Sequence, residues 1–309
     1  MVVSSDLHID AALSRLSVKS ANDMSNFVAS KILPTVRVQK ESDRYYVYGR
    51  ENFILENTFR ADGAPANEAT YGMNQSTYQL EEYALADIVT DRMRKNADPA
   101  LDPESDAVIN LTEKLMIDYE IRTRNLMFTT TALAQNHAAG VAWSAQTTTS
   151  DPFVDVNTAT AVILRQTGAR ANTMLIGQAA FQSLKNHSDT LDRIKYSERG
   201  IITADLLAAM FDLDQVLVGR AVFNSAQEGA AESMGYIWAT HALLAYVEKN
   251  PGLRTKSAGV TFGGVRQTGD TALVSKWREE KRKGDMVEVS WMLDEAITNS
   301  GAAYLITSV

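Results

Sequence analysis

Residues 102–133, DPESDAVINLTEKLMIDYEIRTRNLMFTTTAL, decide the architecture. Asp102 stands at an N-cap position, Pro103 at the first helical position and Glu104 in the first turn. A side-chain acceptor, a fixed φ and a negative charge at these places each favour a helix start. From there Val108, Leu111, Leu115, Tyr119 and Leu126 recur at steps of three, four or seven and draw one apolar stripe. Running to about residue 133, the helix would be about 45 Å long at 1.5 Å per residue, well beyond an ordinary globular helix. Ile117, Ile121 and Phe128 fall on the opposite side, so the second half is expected to be covered on two faces.

Upstream the period changes. Alternation in Tyr46-Val47-Tyr48, and again at Tyr78, Leu80, Ala84, Ala86 and Ile88, predicts β structure over 45–88. Between the two runs lies ADGAPAN (61–67), a turn-rich tip carrying Asp62-Gly63. An isolated hairpin is marginal in water, so this one needs a surface, either in its own domain or on a neighbouring subunit. Before it, residues 6–33 scatter Leu7, Leu13, Leu16, Met24, Phe27 and Ile32 among polar residues, and Pro34 closes the segment. Two readings fit: an arm with some helix, or a surface helix packed on its own subunit.

Downstream, residues 136–150 are small and polar around Trp143 and read as a loop. Asp155 or Asn157 can cap a helix that runs through Leu164 and ends near Gly168. β and α signals then alternate: a strand at 173–176, helices at 179–187 and 203–211 with Thr203 as N-cap, and strands at 216–218, 236–238 and 243–247. This is a compact α/β unit with a mixed sheet. Gly259, Gly263, Gly264 and Gly269 mark a glycine-rich stretch, in which the Gly263-Gly264 pair reads as a turn or bulge. Strands at 273–277, 286–293 and 304–307 complete an α+β chain, and the charged run Arg278-Glu279-Glu280-Lys281-Arg282-Lys283 separates the first two.

Length and composition bound the function. A chain of 309 residues accommodates about two domains, and 45% hydrophobic with 22% charged residues is enough for most of it to fold. A net charge of -8 argues against a protein whose main task is gripping phosphates, while still allowing a wall that encloses a polyanion. The absence of cysteine excludes disulfides, thiolate metal sites and cysteine nucleophiles. Asp6 and Asp10 interrupt any export signal. The apolar run 233–247, between Glu232 and Glu248, is shorter than the roughly 20 residues a membrane span needs, so no membrane partner is expected.

Catalytic and cofactor patterns are also missing. His8, His137, His187 and His241 lie at least fifty positions apart, without metal-ligand spacing. His187 reads as a helix-end cap and His241 as a core or turn histidine. No phosphate-binding loop, dinucleotide fingerprint or nucleophile elbow occurs, and Glu81-Glu82 and Glu279-Glu280 sit in solvated contexts rather than apolar pockets. The chain is therefore read as a non-enzyme without cofactor. The run Arg278 to Lys283 fits a nucleic-acid patch, a solvated hairpin tip or a salt-bridging contact between subunits, and its mixed sign disfavours the first. With Asp62 and Gly63, it forms the candidate subunit interface.

Trp143 with Asp151-Pro152 and Asp155, Gly168 with Asn172-Thr173 and Gly177, Leu184 with His187, and Arg193-Ile194-Lys195-Tyr196 begin an ordered pattern. It continues with Asp214, Val216-Leu217-Val218-Gly219, Ile237-Trp238, Leu243-Leu244, Pro251-Gly252-Leu253 and Ser257-Ala258-Gly259. Over these residues the chain resembles the major capsid protein family of tailed bacteriophages. The resemblance implies an N-terminal arm (1–44), an extended loop (45–88), a peripheral domain (89–170) with a spine helix at about 103–133, an axial domain (171–247) and a return to the peripheral domain (248–309). It further implies self-assembly, as pentamers and hexamers, into an icosahedral virion capsid that encloses double-stranded DNA without reading its sequence. Assembly in the host bacterial cytoplasm and a portal follow from the same likeness. Some members weld their shells through a lysine on the extended loop, but here no lysine occurs between Lys40 and Lys95; non-covalent contacts or a decoration protein are expected instead. Others carry a long scaffolding segment ahead of the arm; with the arm starting close to Met1, a separate scaffolding protein is expected. Encapsulin nanocompartments share the fold and form the alternative reading, and a soluble α+β enzyme the second.

Overall fold

In the computed structural model the stretch from Asp102 becomes one helix, α3 (Pro103–Met127), of 25 residues, about 37 Å long at 1.5 Å per residue. Described are residues 22–49, 53–69, 72–97, 102–133, 135–145, 150–195, 202–227, 229–238, 240–252, 255–264, 272–307 and 309. The Asp102 carboxylate accepts from the Glu104 amide at 3.1 Å and the Ser105 hydroxyl at 2.7 Å. The helix stops at Met127, six residues short of the expected end. Thr129, Thr130 and Thr131 follow, and the Thr129 hydroxyl donates to the Asn125 carbonyl; β-branching and such competing side-chain bonds disfavour continuation. As the stripe predicts, Leu111, Leu115 and Tyr119 are buried, against Val289, Trp291 and Leu293. Ile117, Ile121 and Phe128 pack on a second core, so one helix serves two layers.

The first layer is a sheet centred on β13 (Gly284–Ala296). β13 pairs antiparallel with β4 (Glu81–Thr90) over ten positions, with β12 (Leu273–Glu279) over seven, and at its far end with β11 (Val260–Gly264). β1 (Thr35–Val38) adds to β11 in parallel. Val287, Val289, Trp291 and Leu293 are buried at every second position, the period of a strand with one face on a helix. Two expectations change here. The glycine-rich stretch is strand at 260–264 rather than a turn, and its glycines permit close packing: a Cβ on Gly259 would lie 2.6 Å from Leu33 and 2.9 Å from the Ala296 carbonyl. Residues 81–88, expected in the extended loop, are sheet, because β13 satisfies their backbone along the whole strand.

The hairpin proper is β2 (Ser42–Tyr48) with β3 (Met73–Gln79). Tyr78 stacks on Phe262 with centroids 4.6 Å apart and Tyr45 approaches the same ring at 5.3 Å, anchoring the hairpin root on the first sheet. The short helix α2 (Asp91–Asn96) follows β4.

The second layer is a mixed sheet in the order β5 (Asn136–Ala138), β14 (Ala303–Thr307), β10 (Ala242–Ala245), β6 (Thr173–Gly177) and β7 (Gln215–Gly219). β6 and β10 are buried at every position, as strands covered on both faces must be. One face carries α4 (Pro152–Thr167), α5 (Gln178–Asn186) and α7 (Ala204–Met210), with Met174 and Ile176 packed among Trp143, Phe153 and Leu207. The other presents Leu175, Leu217 and Leu305 to Met127, Trp238 and residues 27–33. α6 (Ser188–Ile194) extends α5, and His187 joins them as expected of a cap, its Nδ1 accepting from the Asp189 amide at 3.3 Å. The small hairpin β8 (Val222–Asn224) and β9 (Met234–Tyr236) precedes β10. The strand expected at 236–238 ends two residues early because Ile237 and Trp238 turn into the core. Gly219 makes room for that indole: a Cβ there would sit 2.1 Å from Trp238 Cδ1.

α4 is capped by Asp151, whose carboxylate accepts from the Phe153 and Val154 amides at 3.0 Å each, and not by Asp155 or Asn157. Pro152 at the first position repeats the Asp102-Pro103 device, and Asp155 instead accepts from Trp143 Nε1 at 2.9 Å. Gly168 ends the helix at φ 63°. The second sheet therefore recruits β5 and α4 from before residue 171 and β14 from after 247, so the two layers interleave along the chain. Residues 1–21 of the arm lie outside the described residues. Its remainder packs on its own chain, with Phe27, Val28, Ile32 and Leu33 buried around α1 (Ala29–Ile32).

Candidate subunit interface

Asp62 and Gly63 lie at the tip of the hairpin, in a turn closed by the Ala64 amide donating to the Ala61 carbonyl at 3.1 Å. Gly63 adopts φ 76°, a conformation open to glycine and strained for most side chains. The Asn67 side chain donates to the carbonyls of Asn57 at 2.7 Å and Phe59 at 3.3 Å, which gives the loop a defined shape beyond its strands. The same loop turns large apolar side chains to water: Leu55 is 96% exposed, Phe59 77% and Ile54 64%. Phe53 is also largely exposed, although its ring lies over Gly168. These four were missed as interface candidates. The signal was the run Phe53-Ile54-Leu55 between polar neighbours, which fits neither strand alternation nor a soluble turn.

The charged run sits on the β12–β13 hairpin, and the structure divides it. Arg278 is committed within the chain: it pairs bidentately with Asp91 at 2.7 Å and 2.7 Å, and with Asp285 at 3.2 Å. Arg94 reaches Asp285 at 2.6 Å and Glu104 at 2.8 Å, and Lys276 bridges Glu104 and Asp285. Hydrogen bonds from Arg94, then Arg278 and Lys276, hold the Asp285 carboxyl down to about 2, while the bond to Asp91 pushes the Arg278 guanidinium up. This network staples α2 and the start of α3 to the hairpin. Glu279 is half-buried, and Glu280 only approaches Arg278, at 3.7 Å. Lys281, Arg282 and Lys283 are exposed at the turn, with Lys283 at φ 47°. With Arg278 and Glu279 withdrawn, the tip offers three cations against one carboxylate, Glu280. It is more basic than the whole run suggests.

Two projections thus leave the body: an apolar-tipped loop on the β2–β3 hairpin and a basic tip on the β12–β13 hairpin. Among the described residues no helix is long and apolar enough to cross a membrane. No family model matches the chain. The major capsid protein of Burkholderia phage BcepMu is 27% identical over 97% of this chain and 96% of its own length. That of Pseudomonas phage JBD67 is 24% identical over 94% and 93%. Among solved structures, a phage-related protein from Bordetella bronchiseptica matches with TM-score 0.72 and 23% identity over 93% of each chain. The capsid of cyanophage P-SCSP1u matches with TM-score 0.64 and 8% identity over 97% of this chain and 93% of its own. The SrpI encapsulin of Synechococcus elongatus matches with TM-score 0.53 and 12% identity over 97% and 95%. The fold is that of the phage capsid and encapsulin shells. Within it, both full-length sequence relatives are major capsid proteins of phages, and the chain is similar to them along nearly its whole length.

Proposed function

We propose that this chain is the major capsid subunit of a tailed phage and assembles, as rings of five and six, into an icosahedral shell around double-stranded DNA. The layer built on the second sheet is the axial domain that forms the rings; the layer built on β13 and α3 is the peripheral domain. The observation that carries the reading is the loop 53–69, whose Ile54, Leu55 and Phe59 stand in water on a shaped, projecting hairpin. A single exposed apolar residue is ordinary, but several on one projection mark a contact surface. A neighbouring copy is the partner present at the same concentration and in fixed orientation, and closure of a shell multiplies modest contacts. The tip at Glu280 to Lys283 supplies a second contact, charged and orienting rather than strong.

A separate scaffolding protein, a portal and, in place of a covalent weld, a decoration protein complete the assembly, which takes place in the host bacterial cytoplasm. The encapsulin reading shares the fold, but the two full-length relatives are both phage capsid proteins. The test is to express the chain, isolate large particles and treat them with nuclease. Closed shells by electron microscopy, with protected DNA when the packaging genes are present, support the reading. Particles that protect only protein cargo support the encapsulin, and a monomer or dimer without particles overturns both.

A further inference from the structure

Glu120 is the one fully buried carboxyl among the described residues, 1% exposed and on the middle of α3. One oxygen accepts from the backbone amides of Val28 and Ala29, the latter at 2.8 Å, and the other accepts from Trp238 Nε1 at 2.6 Å. Val28 is the N-cap residue of α1 and has no side-chain cap of its own, so α3 supplies the missing acceptor across the fold. Three parts of the molecule meet in this carboxyl: residues 27–33, the long helix, and the indole that belongs to the second layer. The arm is pinned again at Asn22, whose amide donates to Glu113 at 2.8 Å and whose side chain exchanges two bonds with the Val222 backbone, at 2.9 and 3.0 Å. Beside Glu120 lies a cavity of about 50 Å³ bordered by Phe27, Ala29, Tyr119 and Trp291, so lifting the segment opens the carboxyl directly to water.

We propose that Glu120 is the catch that holds residues 27–33 against the body, and that lifting this segment is coupled to loss of one proton from its carboxyl. The neighbouring groups set the direction. The hydrogen bonds it receives and the charge of Lys31, which faces it from α1, favour the carboxylate; burial disfavours it and prevails, pushing the group up to about 7 from the ordinary 4.5. Trp238 and Trp291 on the other walls carry no charge, and the Tyr119 hydroxyl is engaged with Thr261 at 2.8 Å. A carboxyl that keeps its proton to about 7 when covered, and only to about 4.5 in water, favours the seated segment in acid. Seating weakens as pH rises from 4.5 to 7, up to tenfold per unit, and changes no further above that.

The test is amide hydrogen exchange of the full-length, unassembled chain, corrected for intrinsic rates and read over residues 28–33. Between pH 5.5 and 8 protection there should fall about 30-fold, the factor that one proton held to 7 rather than 4.5 gives, while β6 keeps its protection. Glu120→Gln should make residues 28–33 insensitive to pH, and Trp238→Phe, which deletes one donor to the carboxylate, should move the midpoint upward. The inference fails if wild-type protection is the same at both pH values, if β6 loses protection in parallel, or if Glu120→Gln retains the pH dependence. The wild-type series alone decides the case should a variant not fold.

Discussion

Replacing Leu55 and Phe59 together by serine should abolish shell formation and leave the subunit itself unchanged. Both side chains are exposed in the isolated chain, 96% and 77%, so the folded subunit loses almost no buried surface. Exposed substitutions of this kind change stability by about 0.5 kcal/mol or less. When a neighbour covers them, each is worth about 1.5–3 kcal/mol. The pair therefore removes about 3–6 kcal/mol per loop, a factor of roughly 10² to 10⁴ in that contact. Every subunit of a closed shell contributes one such loop, so the threshold concentration for assembly should rise at least a hundredfold or so. Light scattering against protein concentration, with particles counted by electron microscopy, measures the threshold, and thermal unfolding of the subassembly fraction checks the fold. Shells at the wild-type threshold, or an earlier melt of the unassembled subunit, would refute the assignment of this loop as a contact.

Three further expectations follow from particular residues. Gly219→Ala drives a methyl into the Trp238 ring at 2.1 Å and should cost about 1–3 kcal/mol as overpacking, read as a lower melting temperature, whereas the same change at Gly140, where a Cβ would meet nothing within 4 Å, should be nearly neutral. Asp285, held down to about 2 by Arg94, Arg278 and Lys276, contributes stability that is present above its ordinary 3.8 and lost as pH falls toward 2; Asp285→Asn should flatten the acid limb of a stability-versus-pH curve, and an unchanged limb would contradict the assignment. Boiled particles should run as a single monomer band on a denaturing gel, because the loop carries no lysine between Lys40 and Lys95; a ladder above monomer would reveal a covalent weld from another segment.

The long helix, its cap and its two covered faces were legible because Asp102-Pro103 and the apolar stripe are local signals that burial later satisfies. The alternation along β13 and the successive strands and helices from Thr173 to Val218 were legible for the same reason. What escaped is non-local. Arg278 looked free for a neighbour, yet its partner Asp91 is 187 residues away, and no spacing rule reaches that far. Glu120 has Asp118 and Arg122 close to it in the sequence and no local sign of burial; only the arrival of Val28 and Trp238 from distant parts of the chain encloses it. That residues 81–88 pair into the first sheet depended on β13, two hundred residues on, claiming that strand. Asp155 was a plausible cap, but Asp151-Pro152 repeated the pattern seen at Asp102 and was the better choice on local chemistry alone.

The place of β14 has a consequence for the order of events during synthesis. That strand, residues 303–307, lies between β5 and β10 with Leu305 and Ile306 fully buried. Until it has been translated, the second layer has an open slot, with one edge of β10 lacking its partner and β5 unattached. A nascent chain therefore carries an unfinished second layer until its last residues emerge, although the loop at 53–69 and the tip at 280–283 are already made. The schedule is written into strand order alone: chains broken off before residue 303 should lack a closed second sheet, with β10 short of a partner along one edge.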